Sequence, residues 1–331
     1  MEFGSVELGA ALGGVLAHSV ALPEGRLKKG TVLGVQEIAR LEAAGVRHIT
    51  IARLGATDID ENRAAASLAR AITGERPGVR LSAAFTGRVN VIADGIGLAA
   101  LDVDAINAIN GVDETITLAT VPAHYRMEPN GLIATIKIIP YGICRESIAR
   151  ACELGAGAIG LAPVVLATAD LIVTSHAAGS SEETGKGLSA ISSRLAALGM
   201  SLIGKTYVPH EAAALAQAVA ESQADLTLIL TASATSDPMD VGPEALRRAG
   251  GSVTRFGIPV DPGNLLFYGT HADGRPVIGL PGCARSPAMN GADWVLERIA
   301  IGRAPTSAEI AAMGVGGLLK EMPGRKQPRL G

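Results

Sequence analysis

Three stretches of the 331-residue chain combine small residues, hydroxyls and charge in a way that suits an anion. The first runs from Thr174 and Ser175 through Gly179 to Glu183 and contains Ser180 and Ser181. The second is Ala232-Ser233-Ala234-Thr235-Ser236, followed by the carboxylates Asp237 and Asp240. The third is Pro281-Gly282-Cys283-Ala284-Arg285-Ser286. Small side chains let backbone N–H groups approach a phosphate, and the first N–H groups of a helix are unpaired at the positive end of its dipole. A carboxylate beside such a turn can hold Mg²⁺. The guanidinium of Arg285 can clamp a phosphate or a carboxylate. Each stretch also has a purely structural reading. Ser181 with the glutamates after it suits an ordinary helix cap. A Ser/Thr-rich turn after a strand is common. Pro281-Gly282 fits a type II turn, with glycine at the position that needs a positive φ. Cys283 has no base near it in sequence and reads as a structural thiol.

What raises the interest of the three stretches is where the surrounding pattern puts them. From residue 164 onward apolar strands alternate with amphipathic helices. Strands are expected at 164–174, 200–208, 226–231 and 253–256, with a hairpin at 265–268 and 276–280. Helices are expected at 181–198, 210–222, 243–249 and 289–301. The run at 226–231 is apolar on both faces, as a central parallel strand is. The fold class expected is therefore α/β, a three-layer αβα unit with a mainly parallel sheet. Ligands of such sheets bind where the strand carboxyl ends emerge, and each of the three stretches follows a strand. Residues 1–163 are less regular. Helices at 35–44 and 62–72 and strands at 46–51, 116–120 and 132–139 make an α+β domain. Residues 164–304 form the α/β domain, and the polar, basic, turn-rich stretch 305–331 reads as a tail or linker.

Composition narrows the function classes. The formal net charge is −3, with no block of basic residues, which gives no footprint for nucleic acid or an anionic membrane surface. Three cysteines without a CxxC exclude a disulfide framework, and six scattered histidines without ligand spacing argue against a protein-held structural metal. Mean hydropathy is positive, yet no apolar window is long enough to span a bilayer, and the first residues lack a basic signal-peptide region. A cytoplasmic protein is expected.

With these motifs in view, residues 164–302 resemble the molybdopterin-binding domain shared by molybdopterin adenylyltransferase, molybdopterin molybdotransferase and gephyrin. Asp240-Val241-Gly242-Pro243-Glu244-Ala245 matches that family's Asp-Val-Thr-Pro-(Asp/Glu)-Ala segment in register. Its preceding glycine block falls on Ala232-Ser233-Ala234-Thr235. Its loop after the first strand falls on Ser175, Gly179, Glu183 and Gly185. Its paired acids after the second strand fall on His210-Glu211, and its Leu-Pro-Gly turn falls on Leu280-Pro281-Gly282. Further upstream, Gly14-Val15-Leu16-Ala17, Lys29-Gly30-Thr31-Val32-Leu33 and Leu41-Glu42-Ala43-Ala44-Gly45 resemble a stretch of the molybdotransferase chain. The whole also resembles the N-terminal part of bacterial fusion proteins that continue into a molybdenum-cofactor nucleotidyltransferase domain.

The resemblance implies molybdopterin as ligand, with Mg²⁺ and ATP as co-reactants if the protein is a transferase, and a homo-oligomer. It implies catalytic carboxylates Asp240 and Glu211, with Asp240 on the metal. It implies a pterin-phosphate site built from Thr174, Ser175, Gly179, Glu183, Ala232, Ser233, Ala234, Thr235, Ser236, Pro281, Gly282, Arg285 and Ser286. This chain departs from the family pattern at the glycines, replaced by Ser and Ala, and at His210, which stands where the family has an acid. Those departures leave a second reading open: a non-catalytic carrier that hands the cofactor to a nucleotidyltransferase or a molybdoenzyme. A generic nucleotide-binding enzyme ranks third, since no GxGxxG or GxxxxGK[ST] is present.

Overall fold

The computed structural model describes residues 1–74, 76–176 and 184–319. Two compact units divide the chain, Met1–Ala162 and Pro163–Gly331. Gly179, Glu183, the start of the expected helix at 181–183 and residues 320–331 of the expected tail lie outside the described residues.

Unit 1 holds two cores. Strands Glu2–Glu7, His48–Arg53 and Val15–Leu16 form an antiparallel sheet. With helix Val35–Ala43 it encloses Leu8, Leu16, Leu33, Leu41 and Ile51. The second core sits on a four-stranded antiparallel sheet in the order Ile116–Thr120, Leu132–Ile138, Arg88–Ala93, Val79–Leu81. Helices Glu61–Thr73, Val103–Asn110 and Arg145–Leu154 contribute Leu68, Ile72, Ile106, Ile109 and Ile148 to it. Asp60 and Asp102 start two of these helices by accepting from the N–H groups of Arg63 and Ala105.

Unit 2 is the expected three-layer αβα arrangement. Its elements in chain order are β1 (Thr168–Ser175), α1 (Thr184–Ala196), β2 (Ser201–Pro209), α2 (Ala212–Glu221), β3 (Leu226–Leu230), α3 (Val241–Arg248), β4 (Ser252–Phe256), β5 (Phe267–Thr270), β6 (Pro276–Leu280), α4 (Gly291–Ala300) and α5 (Ser307–Ala312). The sheet runs β2-β1-β3-β6-β5-β4. The first four strands are parallel, and β5 is antiparallel to both β6 and β4. All five residues of β3 are buried. The period of two divides them: Leu226, Leu228 and Leu230 meet Ile191, Leu195, Val295 and Ile299 on one side. Ile229 meets Leu215, Val219, Ala245 and Leu246 on the other. Each such side chain contributes about 1.5–3 kcal/mol of burial, which is why this strand sits in the middle of the sheet.

The stretch read as a tail is corrected by the structure from its first residues. Thr306 and Glu309 form a reciprocal capping box that starts α5. Ile310 and Met313 are buried in the same core as Val295 and Ile299. A Thr-x-x-Glu spacing ahead of apolar residues is a sequence signature of a helix start, and it outweighs the polar composition.

The amino edge of the sheet is fixed by buried and half-buried polar groups. Asp225 accepts from the N–H groups of Ala167 and Thr168 at 2.8 and 2.9 Å. His271, Thr227, Ser222 and Asp170 form a chain with links of 2.8, 2.8 and 2.7 Å. Its direction follows from its end. An ionised Asp170 can only accept, so Ser222 donates to it, Thr227 donates to Ser222, and His271 donates to Thr227 from Nε2–H.

Candidate functional site

The carboxyl ends of β1, β2, β3 and β6 emerge on one edge of the unit 2 sheet, because these four strands are parallel neighbours. The expected stretches therefore share an edge, and hydrogen bonds tie their described parts together. Thr174, at the end of β1 and 3% exposed, accepts the Ala232 N–H at 2.8 Å and lies 2.8 Å from His210 Nδ1. The other ring nitrogen of His210 lies 3.0 Å from Ser233 Oγ. The His210 backbone N–H reaches Ser175 O at 3.0 Å, extending the β1–β2 pairing by one step. Arg285 donates from Nη2 to Thr231 O at 2.9 Å. These bonds bring Thr174, Ser175, Ala232, Ser233 and Arg285 into one connected arrangement.

The His210 ring thus bridges two hydroxyls, one at each nitrogen, and its tautomer sets which of them donates. Burial, and next the neighbouring His176 imidazole, hold the His210 pKa below the ordinary histidine value, against a smaller opposite pull from Asp240. The two rings meet edge to face with centroids 4.7 Å apart.

The loop after β3 closes on itself. Thr231 Oγ1 donates to Ser233 O at 2.7 Å and lies 3.5 Å from Thr235 Oγ1, which is buried. Asp240 is the N-cap of α3. One of its carboxylate oxygens accepts the Val241 N–H at 2.7 Å and the other the Ser236 N–H at 3.0 Å. Asp237 accepts from Met239 N–H at 2.7 Å. No residue from Thr231 to Asp240 takes a positive φ. The loop thus turns by side-chain capping and needs no glycine. Ala234 and Ser236 are exposed on it. Glu211, expected as the second catalytic carboxylate, is the exposed N-cap of α2 and makes no side-chain cap bond there.

The third stretch corrects one expectation. Pro281 and Gly282 do not form a type II turn, since Gly282 has no positive φ. Pro281 caps a short 3-10 turn, Gly282–Arg285, in which Ala284 N–H bonds Pro281 O at 2.9 Å and Ser286 N–H bonds Cys283 O at 3.1 Å. Pro281 is buried, whereas Gly282 and Ser286 are exposed.

What holds this stretch is a residue that the sequence reading passed over. Arg194 of α1 donates from Nε to Asp293 at 2.6 Å, from Nη1 to Ala284 O at 2.8 Å, and from Nη2 to Ser286 O and Ala288 O at 2.7 and 2.9 Å. Asp293 also accepts the N–H of the fully buried Asn290, whose own side chain accepts from Ala292 N–H. Gly187 lets the same helix approach Arg285. A Cβ there would stand 3.1 Å from Arg285 Cγ. Arg194 and Asp293 are 99 positions apart, so no local spacing marks them.

No group of three or more His, Cys, Asp and Glu able to hold a metal ion occurs among the described residues. A surface hollow of about 500 Å³ in unit 1, lined by Glu7, Leu8, Ile38, Glu42, Val46 and His48, contains none of the expected site residues. Among the described residues no helix is long and apolar enough to cross a membrane.

Comparison with known proteins bears on both units. Residues 165–300 match the family model of a probable molybdopterin binding domain, and residues 5–53 match a domain of unknown function, DUF8806. Among solved structures the chain is similar to a molybdenum cofactor biosynthesis protein from Pyrococcus furiosus. The identity is 14% and the TM-score 0.26, over 92% of this chain and 66% of that one, so just under two thirds of its length is spanned. It is also similar to a molybdopterin biosynthesis protein from Mycobacterium abscessus, at 16% identity and a TM-score of 0.29, over 41% of this chain and 92% of that one. No curated protein matches.

Proposed function

We propose, from the match of residues 165–300 to the molybdopterin-binding domain family, that unit 2 binds the phosphate of a molybdopterin-type pterin at the carboxyl edge of its sheet, in the synthesis or handling of the molybdenum cofactor. The observation that carries this is the joining of four strand ends by the Thr174–Ala232, His210–Ser233 and Arg285–Thr231 hydrogen bonds. Together they put hydroxyls, main-chain N–H groups and a guanidinium on one edge, the donor set that a phosphate monoester needs. Gly179 and Glu183, which the family resemblance adds to the site, lie outside the described residues. Thr235, Ser236, Pro281, Gly282 and Ser286 belong to the loops that frame it. Recognition of a planar pterin is left to the surfaces around this anchor. A homo-oligomer and a cytoplasmic setting complete the reading.

Between transfer chemistry and carriage, the geometry favours carriage. A nucleotidyl or molybdate transferase of this family would set Mg²⁺ and ATP against Asp240 and Glu211. Here an imidazole stands at 210 in place of the family's first acid, and the Asp240 carboxylate serves as the cap of α3. The proposed role is a cofactor carrier that passes its pterin to a nucleotidyltransferase or a molybdoenzyme. The test is to purify the full chain from cells that make the cofactor and identify any bound pterin by its fluorescence after oxidation and by its mass. Mg-ATP-dependent adenylylation of molybdopterin is assayed in parallel. Bound pterin without turnover supports carriage. Turnover that Asp240→Asn abolishes refutes it, and a chain that neither retains nor rebinds pterin refutes the ligand.

A further inference from the structure

β2 (Ser201–Pro209) is nine residues long and stands at one end of the unit 2 sheet, where it pairs with β1. Among the described residues no strand lies on its other side. An edge of that length offers a row of main-chain donors and acceptors to any strand that can match it. Lys205, Thr206 and Tyr207, at its middle, are consecutive and all exposed, so both faces of the strand are open there.

The ladder to β1 fixes which main-chain groups point outward. The N–H of His210 bonds Ser175 O at 3.0 Å, and direction alternates along the strand from there. Val208 and Thr206 therefore turn their N–H and C=O toward β1, and Lys205 and Tyr207 turn theirs away. Nearer the start of β2 the register slips. Ala169 faces Leu202 and Asp170 faces Gly204, which leaves Ile203 as the extra residue of a bulge. At the other end Pro209 points outward and has no N–H. A bulge and a proline are devices that stop an edge from pairing at length. Here they leave a window from Lys205 to Tyr207.

Within that window the strand is its own complement. Two copies related by a two-fold axis pair antiparallel, and the axis can pass Lys205, Thr206 or Tyr207. On Lys205 it sets two like charges directly opposite each other. On Tyr207 it sets the Lys205 C=O against Pro209, which has no N–H to give. On Thr206 each Lys205 faces the Tyr207 of the other copy, in pairs that exchange N–H and C=O, so every outward group of the window is used. The Lys205 ammonium lies 5.2 Å from the ring centre of its own Tyr207. Cation and ring therefore share one face, and on it they meet their counterparts. On the opposite face the two Thr206 hydroxyls come together, a favourable cross-strand pair.

We propose that unit 2 associates with a second copy of the chain by antiparallel pairing of the two β2 edges about Thr206, which joins the two sheets into one. This deepens the homo-oligomer of the proposed function and rests on it for the existence of a self-complex. Because the paired strands run in opposite directions, the two carboxyl edges face opposite ways, and each copy keeps its own proposed site.

The experiment follows the full chain by sedimentation velocity across micromolar concentrations, with cross-linking as the test of register. The expected result is a reversible dimer. Lys205→Pro removes an outward N–H from each copy and spares the ladder to β1. It weakens association about tenfold or more, as loss of paired hydrogen bonds does. Thr206→Cys places two thiols across the axis at a Cα separation of about 4.5 Å, within reach of a disulfide. Mild oxidation gives a covalent dimer with Thr206→Cys. Lys205→Cys and the wild type, whose own cysteines are half-buried, stay unlinked. The single tryptophan of the chain, Trp294 of α4, reports by fluorescence whether each variant keeps unit 2 folded. Thr206→Cys decides alone should Lys205→Pro fail to fold. A dimer that Lys205→Pro leaves unchanged and Thr206→Cys does not trap overturns the interface and leaves the homo-oligomer standing. Cross-linking through Tyr207→Cys but not Thr206→Cys overturns the register. A chain that stays monomeric throughout overturns both the interface and the homo-oligomer, and leaves the pterin reading untouched.

Discussion

Removing the Arg194 guanidinium should loosen one side of the proposed site and most of unit 2 with it. Arg194→Met keeps the packed stem and deletes the charge. The side chains of Arg194 and Asp293 are 9% and 10% exposed, so solvent does little to screen their pair. Asp293 would keep the Asn290 N–H but lose the guanidinium that pairs with it. Leaving one member of a buried pair unpaired costs about 3–5 kcal/mol. The carbonyls of Ser286 and Ala288 are exposed and can turn to water, so they add little. A loss of about 3–5 kcal/mol is a large fraction of the roughly 5–15 kcal/mol that holds a typical domain together. The assay is urea denaturation followed by Trp294 fluorescence, which sits beside Asp293 and reports unit 2 alone. Asp293→Asn and the double variant complete a thermodynamic cycle, since Asn can still accept from Asn290. The expected coupling is at least about 1.5 kcal/mol, within the range of contacting partners. A loss under about 1 kcal/mol in Arg194→Met, or a coupling within about 0.5 kcal/mol of zero, would refute the reasoning.

Three other outcomes follow from the same geometry. Burial holds the His271 pKa below its ordinary value. The unfolded chain therefore takes up the proton first, and stability that is whole at neutral pH falls as pH drops through about 6.5. Urea midpoints at pH 7.5 and 5.5 measure this fall, and His271→Gln should flatten it. Asp240→Asn replaces one of two N–H acceptors by an NH₂ group that faces an N–H. It should lower unit 2 stability by about 1 kcal/mol, as loss of a cap does, while pterin-phosphate affinity stays within about tenfold by fluorescence titration. Gly187→Ala should be absorbed by a small shift of the flexible Arg285 stem, whereas Gly187→Leu should displace it and weaken inorganic phosphate binding in calorimetry.

The layers of unit 2 were legible because its inner strands β1, β3 and β6 are mostly buried on both faces. Leu226–Leu230 is the clearest instance, and it lies third of the six strands. Unit 1 was less legible for a reason of length. Val103–Asn110 turns only twice, and Ile106 and Ile109 are too few to establish a period. Glu2–Glu7 is exposed on alternate residues and becomes a strand by pairing with His48–Arg53, a partner more than 40 positions away. In α5 the reverse happened: the capping box was present in the sequence, and the proline-rich, polar surroundings hid it.

The proposed site was half legible for a deeper reason. Small residues and hydroxyls mark a loop that can meet an anion, and the order of strands brings such loops to one edge. Nothing in a one-dimensional reading says which way a hydroxyl points. The two departures from the family pattern, Ser in place of glycine at 233 and His in place of an acid at 210, look independent in sequence and turn out to be one change in space. With glycine at 233, His210 Nε2 would lose its hydroxyl partner. With an acid at 210, the Thr174 and Ser233 hydroxyls would face a carboxylate in place of an imidazole. Together the two residues make a loop that needs no left-handed turn and a side-chain bond that ties it to the end of β2. On this view a Ser233→Gly, His210→Asp double variant should lose less unit 2 stability, by urea denaturation, than the sum of the two single changes. Losses that add to within about 0.5 kcal/mol would mean that the two positions act separately.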